Sequence, residues 1–125
     1  MKDPVILVAE DSKYMRTVIG MTIKGMGYNS LFFAADGFET IEKAILLKPD
    51  IITLDITIPK INGLDVIPEI LEVSPSSIII MVTAMHNQDI IKQAIKSGAS
   101  DFIHKPFQKE TLENVIRSHV QKISV

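Results

Sequence analysis

Five apolar runs rich in β-branched residues recur along the 125-residue chain, and each is followed by a segment of helical periodicity. The runs are Val5-Ile6-Leu7-Val8, Leu31-Phe32-Phe33, Ile51-Ile52-Thr53-Leu54, Ile78 to Val82, and Phe102-Ile103. Several are continuous rather than alternating in polarity, which is how strands covered on both faces read. Between them, Met15, Val18, Ile19, Ile23 and Met26, and later Ile90, Ile91, Ala94 and Ile95, fall at helical spacing. Met15, Met21 and Met26 are expected to pack in the core or along its flank.

Parallel strands need a crossover connection, usually a helix, and such crossovers are right-handed. The pattern therefore predicts an α/β fold: a single doubly wound five-stranded parallel sheet between two helical layers, a flavodoxin-like (βα)5 with strand order 2-1-3-4-5. Gly27, Asp36-Gly37, Pro49-Asp50, Asn62-Gly63, Pro75, Gly98 and Pro106 mark the turns and helix ends. Gly20 and Gly25 each cost the first helix about 1 kcal/mol relative to alanine, so that helix must lean on packing.

The length suits one domain, residues 1–125, and no effector domain is expected. A net charge of -2 offers no basic field for a phosphate backbone, so no direct nucleic-acid binding is expected. Without cysteine there are no disulfides, thiol catalysis or cysteine-ligated zinc. The apolar run Val5 to Ala9 is too short for a signal-peptide core, and no run approaches the roughly 20 residues of a membrane span, so no membrane insertion is expected and a cytoplasmic location is.

In open α/β sheets the ligand site lies beyond the carboxyl ends of the strands, where the strand order reverses. Those ends carry Glu10 and Asp11, Asp55, Thr83 and Lys105. Three carboxylates about 4 Å apart would repel by several kcal/mol per pair at an effective dielectric near 20, so a divalent cation is implied. An all-oxygen set suits Mg2+. Such an ion neutralises an incoming phosphoryl group while one carboxylate attacks phosphorus, and the central Asp55 is the best candidate nucleophile. Lys105 and the Thr83 hydroxyl then suit the phosphoryl oxygens. His86, His104 and His119 lack close metal-ligand spacing and are expected to be exposed or partly packed.

Taken in order, Glu10-Asp11-Ser12, Asp55 through Gly63, Thr83-Ala84, Gly98-Ala99-Ser100-Asp101-Phe102 and Lys105-Pro106-Phe107 resemble the motifs of response-regulator receiver domains over essentially the whole chain. The resemblance implies Asp55 as phosphoacceptor and Asp11 and Asp55 as direct Mg2+ ligands. Glu10 would act through water, and the Thr57 backbone carbonyl would complete the set. Thr83 with Ala84, Phe102 and Lys105 would form the phosphoryl-binding and switching group, and the Lys105-Pro106 bond would be cis. Thr57 and Met85 border the path of the hydrolytic water in this family, and a bulky Met85 is expected to slow hydrolysis.

By the same resemblance the chain is a signalling switch rather than an enzyme, with only Mg2+-dependent self-phosphorylation and slow self-dephosphorylation. The phosphodonor would be a histidine kinase or phosphotransfer protein. The responding face would be the fourth helix, fifth strand and fifth helix (α4, β5 and α5, near residues 87–97, 101–104 and 108–122), which would bind a protein target. A stand-alone, monomeric regulator of the chemotaxis or phosphorelay kind is expected. The alternatives are a receiver fragment of a larger transcriptional regulator and a pseudo-receiver that works without phosphorylation. A phosphatase of the haloacid-dehalogenase type would need a second Asp where Thr57 stands, and a dinucleotide binder would need a phosphate loop where Glu10-Asp11-Ser12 stands.

Overall fold

A computed structural model describes residues 3–123. Ten elements alternate along it: β1 Ile6–Ala9, α1 Lys13–Gly25, β2 Leu31–Ala34, α2 Gly37–Leu47, β3 Ile51–Leu54, α3 Gly63–Val73, β4 Ile78–Thr83, α4 Gln88–Ser97, β5 Asp101–His104 and α5 Lys109–Ile123. All strand pairs are parallel, and the sheet order is β2-β1-β3-β4-β5. The expected flavodoxin-like (βα)5 topology is the observed one.

Side chains alternate across a strand, and each central strand feeds two cores. Leu7, Ala9, Ile52, Leu54, Ile79 and Met81 pack under α2, α3 and α4 with Ala44, Val66, Ile67, Ile70 and Ala94. Ile6, Val8, Ile51, Ile80, Val82 and Ile103 pack on the other face with Ile19 and Ile23 of α1 and Leu112, Ile116 and Val120 of α5. Each fully buried Ile or Leu contributes about 1.5–3 kcal/mol, so the continuous apolar strands are the main source of stability. Edge strand β2 is covered less completely, and Phe32 is exposed.

Helix starts follow from short polar caps. The side chains of Ser12, Asp36, Asn62 and Asn87 each accept a hydrogen bond from an amide in the first turn of α1, α2, α3 and α4. The α4 helix ends at Gly98, whose φ of 122° suits glycine and where a Cβ would lie 2.3 Å from Leu71 Cδ1. Gly20 in α1 has a packing reason too, since a Cβ there would sit 2.9 Å from the Phe33 ring.

Two expectations need correction. Met15 and Met26 pack against the α1 and α5 core, but Met21 is exposed because its position on α1 turns it away from the sheet. His119 is buried: it lies on the inner face of α5, and its Nε2 is 3.0 Å from Asp101 Oδ2, which supplies the polar partner that burial demands. His86 is exposed and His104 half-buried, as expected, and their rings stack with centroids 4.3 Å apart.

The carboxyl ends of the strands gather at one edge. There the amides of Glu10, Asp55 and Lys105 donate to the carbonyls of Ala34, Ala9 and Thr83 at 2.9, 3.1 and 2.9 Å, extending the ladder by one residue past each strand.

Candidate functional site

The register of β1 against β3, with Ala9 opposite Leu54, sets Glu10 beside Asp55. Both are buried, at 2% and 4% exposure, whereas Asp11 is exposed. One carboxylate oxygen from each of Glu10, Asp11 and Asp55 lies within 4.8 Å of the others. Lys105 reaches in from the end of β5, and its Nζ bonds Glu10 Oε1 at 2.5 Å and Asp55 Oδ2 at 2.8 Å. The second Asp55 oxygen, Oδ1, accepts from the Thr57 amide at 3.1 Å and the Thr57 hydroxyl at 3.0 Å. Asp55 is thereby held at both oxygens in one orientation.

The electrostatics follow from burial. Burial pushes the Glu10 carboxyl above its ordinary value, against the opposing bonds from Lys105 and the Ser12 amide. Burial also disfavours the Lys105 ammonium, but its bonds to Asp55 and Glu10 outweigh that cost and raise its pKa. One ammonium therefore serves two buried carboxylates, with a third carboxylate close by. Three ionised acids and one ammonium leave the group two charges negative, a deficit that one divalent cation would balance. The donors are all oxygen, which suits Mg2+, and exposed Asp11 keeps an approach from solvent.

Arg16 was not singled out from the sequence. Its Nη1 donates to the main-chain carbonyls of Glu10 and Asp11 at 2.8 and 3.0 Å, so a side chain from the first turn of α1 pins the acidic loop. A charge on a helix face gives no sign in the sequence that it turns inward. Ser12, by contrast, serves as the helix cap that its residue type allows: its Oγ accepts from the Met15 amide at 3.2 Å.

Among the described residues, Thr83, Ala84, Met85 and Phe102 make no hydrogen bond to Glu10, Asp11 or Asp55. Thr83 is fully buried at the end of β4, and its hydroxyl accepts from the Met85 amide at 3.2 Å. Ala84 is exposed, and Met85 is half-buried against the α2, α3 and α4 core. Phe102 is half-buried on β5 with its ring edge-on to His104, centroids 4.3 Å apart. The Lys105–Pro106 peptide bond is cis.

The family model of the response regulator receiver domain matches residues 6–117. The chain belongs to the response regulator receiver family. The receiver is 45% identical over 103 residues to the chemotaxis protein CheY of Thermotoga maritima, covering 82% of this chain and 86% of that one. It is 41% identical over 105 residues to CheY of Listeria monocytogenes, covering 84% and 88%. Its fold matches the response regulator domain of Thermotoga maritima CheB, with a TM-score of 0.83, 33% identity and 96% of each chain covered. It also matches the receiver domain of sensor histidine kinase PA1611 of Pseudomonas aeruginosa, a structure with a magnesium ion coordinated in the active site cleft. There the TM-score is 0.86 and the identity 26%, with 96% of this chain and 99% of that one covered. The receiver is thus a two-component signalling domain with chemotaxis relatives, a switch rather than a conventional enzyme. No helix among its described residues is long and apolar enough to cross a membrane.

Proposed function

We propose that Asp55 accepts a phosphoryl group and that the receiver works as a phosphorylation-dependent switch. The observation that carries this reading is the fixed Asp55 carboxylate, held between Lys105 and Thr57 and adjoined by Glu10 and Asp11. Asp11, Asp55 and the Thr57 carbonyl would hold Mg2+, with Glu10 acting through water; the acidic cluster here and the magnesium ion in the cleft of the PA1611 receiver domain support a magnesium site. When bound, Mg2+ would neutralise charge on the phosphoryl oxygens.

The protein's own residues do the rest. An Asp55 oxygen forms the new O–P bond as the P–N bond of a histidine kinase or phosphotransfer protein breaks, the leaving imidazole keeping the electron pair. Lys105 exchanges a carboxylate oxygen for a phosphoryl oxygen, with little movement of its backbone. The product gains about 1.5 to 2 negative charges. Thr83 gives up the Met85 amide and donates to the phosphoryl group, and the Phe102 ring fills the space that Thr83 leaves. Through Phe102 the change reaches α4, β5 and α5, where a target protein binds. The chemotaxis relatives, matched over most of their length, support a stand-alone regulator.

Incubation with a small acyl phosphate, with and without Mg2+, followed by intact mass, tests the reading. A gain of about 80 daltons is expected only with Mg2+ and only when Asp55 is present. The same gain in Asp55→Asn would refute it.

Arg16 gives a second test. Arg16→Ala is expected to weaken Mg2+ binding about tenfold, because it frees the loop that presents Glu10 and Asp11. Isothermal titration measures this, and an unchanged affinity would mean that the loop holds itself.

A further inference from the structure

Helices α2 and α3 lie side by side, and a groove of about 620 Å3 runs between them. Its floor is apolar, from Phe38 and Ile41 of α2 and Ile61 of the loop before α3, and its rim is acidic, from Glu42, Asp65 and Glu69. Both ends are tied. At one end the Gly37 amide donates to the Pro59 carbonyl at 3.0 Å and Lys60 pairs with Asp36 at 3.2 Å. At the other, the Lys48 ammonium bonds the Val73 carbonyl at the last turn of α3. The groove is therefore preformed.

Its charge is one-sided. The two helices carry five acids and one base, a net -4 within a chain whose total is -2. That one base, Lys43, is already engaged by Glu39 and by the Phe33 carbonyl. Among the described residues no ion pair neutralises Glu42, Asp65 or Glu69.

The apolar part is also longer than a small-molecule pocket requires. Phe38 is 57% exposed, and Ile45, at i+7 on the same stripe of α2, is 49% exposed. The stripe spans about 10 Å of helix axis, or two turns, and Leu46 beside it is 80% exposed. An exposed apolar stripe flanked by unpaired carboxylates is the complement of a helix with one apolar face and lysine or arginine along its edge.

We propose that the α2–α3 groove is a docking surface for a cationic amphipathic helix of a partner protein. The apolar stripe supplies the contact area, and Asp65 and Glu69 select for charge and orientation. The surface is separate from the acids around Asp55 and from α4, β5 and α5, so it can be occupied without covering either.

The test uses the intact receiver and two fluorescein-labelled peptides, each about four helical turns long, with the same leucine face. One carries lysine on its flanks and the other glutamate. Anisotropy is expected to show the lysine peptide binding about tenfold or more tightly than the glutamate peptide at low salt. Amide shift changes in NMR are expected to map to α2 and α3. Phe38→Ser and Glu69→Lys sit on exposed positions and are expected to keep the melting temperature while each weakens binding about tenfold. Glu110→Lys, on exposed α5, matches the charge change of Glu69→Lys and is expected to leave binding unaltered.

Equal binding of both peptides, shift changes centred on Glu10 and Asp55, or equal losses in Glu69→Lys and Glu110→Lys would overturn the proposal. So would sedimentation showing self-association that Phe38→Ser abolishes, which would assign the groove to a second copy. A short alkylammonium that binds as tightly as the peptide would assign it to small amphiphiles and overturn it as well.

Discussion

Lys105→Met is expected to lower stability by about 3 kcal/mol near neutral pH in Mg2+-free buffer, because it leaves two buried carboxylates without their shared cation. For a domain of this size that is a fall in melting temperature of roughly 12 °C. The loss should depend on pH in a definite direction. In the parent protein Glu10 titrates above its ordinary value of 4.5, so its contribution is fully present below 4.5 and is lost as pH rises through the raised value. Removing Lys105 takes away the bond that opposes this shift, so Glu10 moves higher and the loss extends toward neutrality. Thermal melts of the variant should therefore approach the parent near pH 4.5 and diverge from it as pH rises, and a gap independent of pH would show that the acids do not depend on Lys105. Phosphorylation by an acyl phosphate should also slow, by about a hundredfold, since a charge that meets the phosphoryl oxygens is gone.

The second large effect is expected at Gly63, the first residue of α3. A Cβ there would lie 2.5 Å from Ile56 Cα, 2.8 Å from the Asp55 carbonyl oxygen and 2.9 Å from the Ile56 carbonyl oxygen. All three are backbone atoms and cannot rotate away. Gly63→Ala is expected to cost about 3 kcal/mol and to displace the segment that carries Asp55. Chemical denaturation measures the first effect and the phosphorylation rate the second. Gly25→Ala, where nothing lies within 4 Å, serves as the control and should be stabilising by up to about 1 kcal/mol. If the two substitutions behave alike, the close approach of α3 to the Asp55 segment is not what holds them together.

Gly63 also illustrates what was and was not legible in the sequence. Asn62-Gly63 reads as a turn and helix start, and Asn62 does cap α3, but the reason for glycine is a crossing of backbones that no local pattern encodes. The strands were legible because burial on both faces forces near-continuous apolar runs, as in Ile51–Leu54 and Ile78–Thr83. The meeting of Glu10, Asp11, Asp55 and Lys105 was legible because parallel topology fixes which strand ends adjoin. Arg16 and His119 were not. Each depends on a partner brought near by the fold: Arg16 on carbonyls that face back over α1, His119 on Asp101 across from α5. The sequence spacing of such pairs follows from chain routing rather than from any periodicity. Pro68 was equally opaque, since proline within a helix ordinarily breaks it, yet α3 continues through it to Val73.

The amides of Glu10, Asp55 and Lys105 are the last rungs of the sheet's ladder, so the groups that would meet phosphorus stand on backbone that the sheet itself holds. Motion is left to what lies past those rungs: side-chain torsions, and the connecting loops that follow each strand. The sheet is the stator of this device and the loops its rotor, and hydrogen exchange should separate the two, slow at Glu10, Asp55 and Lys105 and fast at exposed Lys60 and Ala84.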